Sequence, residues 1–178
     1  MIQKKEKIHT RTIDIATYKA SEDTIVVEGI LKDERLLESF LATGNKRPPG
    51  IFHHLVIRIE VKGPELVIQD IEVEMPKVPN EYCKEIIDCL APIKGTPIVS
   101  GFTRKAKAMA GGPRGCNHLL ALLIAMAPAA VQGAFSLISL KPIEKGSGDK
   151  IRSERLKNTC YAWRENGPLM ERYKDLVK

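Results

Sequence analysis

Along the first half of the chain apolar and polar residues alternate, which is the period of a strand with one buried face. Thr12 to Tyr18 alternates with Ile13 and Ile15 on one side, and Thr24 to Lys32 is rich in β-branched residues. Ser21, Glu22 and Asp23 form the turn between them, so the two segments read as a hairpin. Lys46-Arg47-Pro48-Pro49-Gly50 punctuates a loop, after which Leu55, Ile57, Ile59 and Val61 share one face while Arg58 and Glu60 take the other. Lys62-Gly63-Pro64-Glu65 then turns into Leu66 to Met75, where Ile71, Val73 and Met75 alternate with Asp70, Glu72 and Glu74. Four strands in this order predict an antiparallel meander with one wet face. On that face the three acidic residues of the last strand need only solvation, so they do not suggest paired acid and base catalysis.

The second half changes period. Behind a good N-cap at Asn80, residues Cys83, Ile86, Ile87 and Leu90 fall at the spacing of one helical stripe, which predicts that Cys83 points toward the core. A short helix from about Phe102 should end at Gly111-Gly112-Pro113, and a long apolar helix should begin just after Gly115. Lys145 to Lys150 reads as a charged linker before a last amphipathic segment with Cys160, Tyr161 and Trp163. The expected class is therefore α+β: a meander of about four strands packed against a helical C-terminal half, in one domain over residues 1–178.

Composition narrows the function classes. At 178 residues, 43% hydrophobic and 28% charged, the chain has the make-up of an ordinary globular domain. The net charge of +6 is too small to argue for a polyanion partner, and no basic run is interleaved with stacking aromatics, so nucleic acid is not the expected partner. Leu119 to Leu140 approaches the length of a membrane span, yet Pro128, Gln132, Gly133, Ser136 and Ser139 interrupt it, and it reads as core. Met1 to Lys7 carries charge with no apolar segment behind it, unlike a secretory signal. The expected location is the cytoplasm, where Cys83, Cys89, Cys116 and Cys160 would be thiols or ligands rather than disulfides.

The concentrated chemistry is Arg114-Gly115-Cys116-Asn117-His118 at the mouth of the apolar helix. A thiol at a helix N-terminus beside a basic group is favoured as thiolate, the form that attacks electrophiles and binds metals. Cys116 and His118 are thus candidate catalytic residues. His53 shares the inward parity of Leu55 and Ile57, whereas His54 lies on the outward side with Arg58. Joined by Cys83 and Cys160, the set Cys116, His118, Cys160, Cys83 and His53 has the donors that suit zinc or iron, with zinc the leading expectation. Cys116 and His118 are only two apart, so chelation by both requires Cys116 to stand outside regular helix. Arg114 and Gly115, in a glycine-rich turn before a helix, can hold the carboxylate or phosphate of a small anionic or thioester ligand. The same residues also admit a structural reading, as buried thiols, a capping histidine and a tight glycine connection. His9 and Arg11 stand ahead of the first predicted strand, where basic side chains are ordinarily solvated.

Taken together, several stretches resemble a bacterial family of proteins known as DUF2889, a domain of unknown function. The likeness rests on His9-Thr10-Arg11, Val27-Glu28-Gly29 with Leu31, His53 with Leu55 to Ile59, Ile68-Gln69-Asp70, Cys83, Gly101-Phe102-Thr103-Arg104, Gly111 to Leu119, and Asn158 to Trp163. In the family pattern Thr stands at the position of Asn117, Trp at Phe102 and His at Tyr161. No activity follows from the resemblance, but it does sort the residues. His53, Cys83, Cys116, His118 and Cys160 fall on family positions, and His54 and Cys89 do not. A glycine-cysteine pair opening a long helix after strands also looks like the fold of iron-sulfur scaffold proteins, whose second cysteine spacing is absent here. A partner-binding module or scaffold with structural cysteines is accordingly the alternative to a metal or thiol site.

Overall fold

A computed structural model of the chain describes residues 1–140, 142 and 154–173. The predicted linker at 145–150 lies outside the described residues. The chain forms two compact units, residues 1–133 and 134–178.

In the first unit four antiparallel strands stand in the order β1-β2-β5-β6: β1 (His9–Lys19), β2 (Thr24–Arg35), β5 (Gly50–Lys62) and β6 (Val67–Lys77). The short β3 (Ser39–Phe40) and β4 (Lys46–Arg47) pair with each other in the connection between β2 and β5. The α+β class and the four-stranded antiparallel sheet agree with the alternation in the sequence. The principal strands run further than the alternation implies, and β1 takes in His9 and Arg11. The β5–β6 turn needs its glycine, because Gly63 sits at φ 70°.

One face of the sheet is dry. Val27, Leu31, Leu55, Ile57, Ile59 and Val61 are fully buried on it, as parity requires. On β6 an extra residue near Gln69 shifts the register, so Ile68 is buried although its parity differs from that of buried Met75. Edge position keeps Ile13 on β1 at 42% exposure, so the side it shares with Ile15 is only partly covered. Across the opposite face runs an ion-pair cluster: Arg58 Nε donates to Glu28 Oε2 at 2.6 Å and its guanidinium also bonds Glu74, with Glu72 at 3.9 Å.

The long apolar helix α2 (Asn117–Ile138) covers the dry face. It is a single helix through Pro128, which is exposed, and it buries Leu119, Leu122, Leu123 and Met126 completely. Gly29 lets it approach: a Cβ there would lie 2.6 Å from Met126 Sδ and 3.1 Å from Leu122 Cδ1. Among the described residues α2 is the one helix long and apolar enough to cross a membrane, and 33% of that apolar window is buried within the protein.

Residues Glu81–Ile93 depart from the expected α-helical stripe. They form 3₁₀ turns kinked at Ile86 with Pro92 inside, begun by Asn80 accepting from the Tyr82 N–H at 3.1 Å. A 3₁₀ turn repeats every three residues, so the stripe breaks up. Of its four members Leu90 is buried, while Cys83, Ile86 and Ile87 are half-exposed. Helix α1 (Phe102–Ala110) follows and stops at Gly111 as expected. In the second unit a short helix α3 (Pro168–Tyr173) stacks Tyr173 on Trp163 with centroids 5.5 Å apart.

Candidate functional site

The inward face of β2 continues Val27, Gly29, Leu31 and then Asp33, an acidic side chain where the pattern calls for an apolar one. Strand register sets Asp33 opposite Arg11 of β1 and opposite His53 of β5. Three chemically active residues therefore stand in a row across three strands. Immediately beyond them the β2–β5 register shifts, with Asp33 facing His53 and Glu34 facing Ile51, which leaves Phe52 as the extra residue. This bulge turns the Phe52 ring against His53 at 5.0 Å and His9 at 5.7 Å.

Asp33 is 1% exposed, which demands that its charge be satisfied internally. Arg11 does so with a two-pronged contact, Nε to Oδ1 at 2.6 Å and the second guanidinium nitrogen to Oδ2 at 2.7 Å. His53 Nδ1 lies 2.8 Å from Oδ2, and His9 Nε2 lies 3.5 Å from Oδ1. The Arg11 bonds, aided by His53 and opposed by burial, hold the Asp33 carboxyl at a pKa of about 2. Asp33 is then an acceptor only, so the hydrogen between it and His53 belongs to Nδ1 of the histidine. In the neutral ring this assigns the free lone pair of His53 to Nε2.

His118, in the first turn of α2, brings a second imidazole to this point. The two rings lie 4.0 Å apart between centroids at a 38° tilt. Donor atoms of Asp33, His53 and His118 all fall within 4.8 Å of one another, and His53 and Asp33 are buried while His118 is half-buried. Burial is the main cause that pushes the His118 pKa below its ordinary value; the positive sides of His53 and Arg11 add to this and Asp33 opposes it. His118 thus favours its neutral, ligating form.

Cys116 reaches the group through His118, its Sγ lying 3.7 Å from His118 Nδ1. Its carbonyl accepts the first helical bond of α2, from the Leu120 N–H at 2.9 Å, so Cys116 stands at the cap rather than in regular helix. This is the placement that two donors only two residues apart require. Of the expected set, His53 and His118 lie together with Asp33, and Cys116 touches His118 while standing outside that three-residue donor group. Cys83 is half-exposed on the 3₁₀ segment and outside the three-residue donor group, and Cys160 is exposed in the second unit. Cys89, rather than Cys83, meets the Cys116 loop: a Cβ at position 115 would lie 3.2 Å from its Sγ. That Cβ would also lie 2.4 Å from the Ala110 carbonyl oxygen, so Gly115 is required by packing. Arg114 beside it is exposed.

Asp33 and Arg11 are the members of the candidate site that the alternation pattern alone passed over. Both had a signal: Asp33 has inward parity on its strand, and the alternation that starts β1 extends back through Arg11.

A sheet crossed by one apolar helix, with an Arg-Asp-His row whose Asp33 and His53 are buried facing a histidine of that helix, defines a small α+β protein with a candidate site at the sheet–helix junction. The family described as "Protein of unknown function (DUF2889)" matches residues 9–132, and the chain belongs to it. Arg11, Asp33, His53, Cys116 and His118 lie within that match, and Cys160 lies beyond it. No curated protein and no solved structure matches the chain.

Proposed function

We propose that the site binds a divalent transition metal, zinc first among them, through His53 Nε2, His118 and Cys116 Sγ. The observation that carries this reading is the Asp33–His53 hydrogen bond of 2.8 Å. Histidines that ligate metals regularly give their other ring N–H to a carboxylate, which fixes the tautomer and aims the free nitrogen. Both Asp33 oxygens face Arg11, so the carboxylate suits the role of holding His53 better than that of a ligand. The 3.7 Å between Cys116 Sγ and His118 Nδ1 supports the same donor set, because sulfur and nitrogen on one tetrahedral zinc stand about 3.6 Å apart. Three protein donors leave a fourth position for water or for the carbonyl oxygen of a small acid or thioester, which is the arrangement of catalytic rather than structural zinc.

The test is metal content. Purified protein should carry close to one zinc per chain, lost in His53→Ala and His118→Ala, weakened in Cys116→Ser, and kept in Cys83→Ser and Cys160→Ser. Folded protein that neither carries zinc nor takes it up on titration overturns the proposal.

The Cys116–His118 contact also favours a second reading, in which His118 draws the thiol proton and Cys116 attacks a thioester or similar carbonyl without metal. Thiol alkylation separates the two. Under this reading chelator-treated protein alkylates Cys116 faster than a free thiol, and His118→Gln removes the advantage; an ordinary rate in the chelated protein rules the reading out.

A further inference from the structure

Cys89 takes no part in the proposed centre, yet it lies against the same loop. The chain at Gly115 passes so close that a Cβ there would stand 3.2 Å from Cys89 Sγ, and the next residue is Cys116. The Cys116 backbone N–H interacts with the Cys89 thiol, while burial, the larger cause, pushes that thiol's pKa up. Both sulfurs are half-buried. Cys116 stands at the helix cap, where the preceding turn does not restrict χ1 as it does inside a helix. Closure requires its sulfur to turn from the His118 side toward Cys89.

From this placement we infer that Cys89 and Cys116 form a redox pair that closes to a disulfide when the protein meets a hydroperoxide. Cys116 is the attacking sulfur, being the one at the loop mouth, and Cys89 resolves. In the first step the Cys116 sulfur attacks the distal peroxide oxygen and the O–O bond breaks. The thiol proton passes to the leaving oxygen, giving water or an alcohol and a sulfenic acid on Cys116. In the second step the Cys89 sulfur attacks the sulfenic sulfur, an S–S bond forms, the S–O bond breaks, and the hydroxyl leaves with the Cys89 proton as water. Two electrons pass from the two thiols to one peroxide, and no other reactant is needed.

The geometry selects this pair from the cysteines of unit 1. Cys83 lies on the far side of the Ile86 kink from Cys89 on the same 3₁₀ segment, and it is Cys89 whose sulfur lies against the Gly115 backbone. The inference goes beyond the metal reading and does not require it, since closure is expected of the chelator-treated chain.

The experiment treats full-length, chelator-treated protein with one equivalent of hydrogen peroxide and maps its peptides without reduction. The expected result is a cross-linked peptide joining residues 89 and 116, a loss of two titratable thiols, and full reversal by dithiothreitol. In Cys89→Ala, dimedone should label a sulfenic acid on Cys116 and no cross-link should form; Cys83→Ser and Cys160→Ser should close as the parent does. Cross-links through Cys83 or Cys160, or a Cys116 sulfenic acid that persists in the parent, overturn the inference. A parent protein that keeps all four thiols under peroxide overturns it equally. Should Cys89→Ala fail to fold, the peptide map of the parent decides alone. Zinc content measured on the untreated protein reports on the metal reading separately.

Discussion

Strand β2 contributes a carboxylate to each of two arginine–carboxylate clusters, one on either face of the sheet, and the two carboxylates differ sharply in burial. On the wet face Arg58 of β5 pairs with Glu28 of β2 and reaches Glu74 and Glu72 of β6, with the glutamates 23%, 53% and 70% exposed. Five residues further along β2, on the opposite face, Arg11 pairs with Asp33, whose carboxylate is 1% exposed and also holds His53. Water competes for every bond in the first cluster, so it adjusts surface charge and little else. In the second the charge cannot be resolvated in place, and its bonds fix the orientation of a histidine. Parity decides which cluster is which: Glu28 and Arg58 stand at even-numbered positions on the wet face, and Asp33 and His53 at odd-numbered ones on the face that packs on α2.

The largest expected effect is therefore on Asp33. Asp33→Asn removes the buried charge that accepts from Arg11 and His53 and should cost about 3 kcal/mol, read by urea unfolding, because several short bonds to a charged group are lost or weakened together. A cost below about 1 kcal/mol would mean the two clusters do not differ in kind.

Next is acid stability. The folded pKa of Asp33, about 2, lies below its ordinary 3.8, so the ionised carboxylate contributes stability that is complete above pH 3.8 and is lost as pH falls through the folded value. The gap is worth about 2 kcal/mol. The unfolding free energies of the parent protein and Asp33→Asn should converge over that interval, and parallel curves would contradict the assignment.

A smaller effect is expected from His118. Its folded pKa lies below the ordinary 6.5, so the unfolded chain takes up this proton first, and stability should decline as pH falls below 6.5. In His118→Gln that part of the slope should disappear from thermal melts between neutral and mildly acid pH.

The smallest effect is expected on the wet face: Glu28→Gln should change stability by about 0.5 kcal/mol, and high salt should remove most of the difference. A larger, salt-resistant loss would place Arg58 among the structural charges.

Much of the sheet is legible in the sequence because period-two alternation states a face directly. His53 inward and Leu55 to Val61 beside it follow from parity alone. The end of α1 at Gly111 is equally plain, and the start of α2 falls one residue beyond the one expected, since glycine, proline and the change to an unbroken apolar run mark them. What the alternation does not carry is strand register. Nothing local states that Arg11, Asp33 and His53 stand opposite one another, because that row is set by two strand pairings and a bulge at Phe52. Cys83 and Cys89 show the complementary difficulty. An α-helical period favours Cys83 as the inward thiol, but the kinked 3₁₀ backbone follows a different period and brings Cys89 to the Gly115 loop.

The proposed centre depends on one proton, the one between Asp33 and His53. Nitrogen-15 NMR of the histidine rings, recorded on chelated protein and again with one equivalent of zinc, observes it directly. The account predicts a His53 ring protonated at Nδ1 in both samples, with the Nε2 resonance of His53 and one ring nitrogen of His118 shifted when zinc is added. A His53 protonated at Nε2, or ring nitrogens that zinc leaves unchanged, would contradict it.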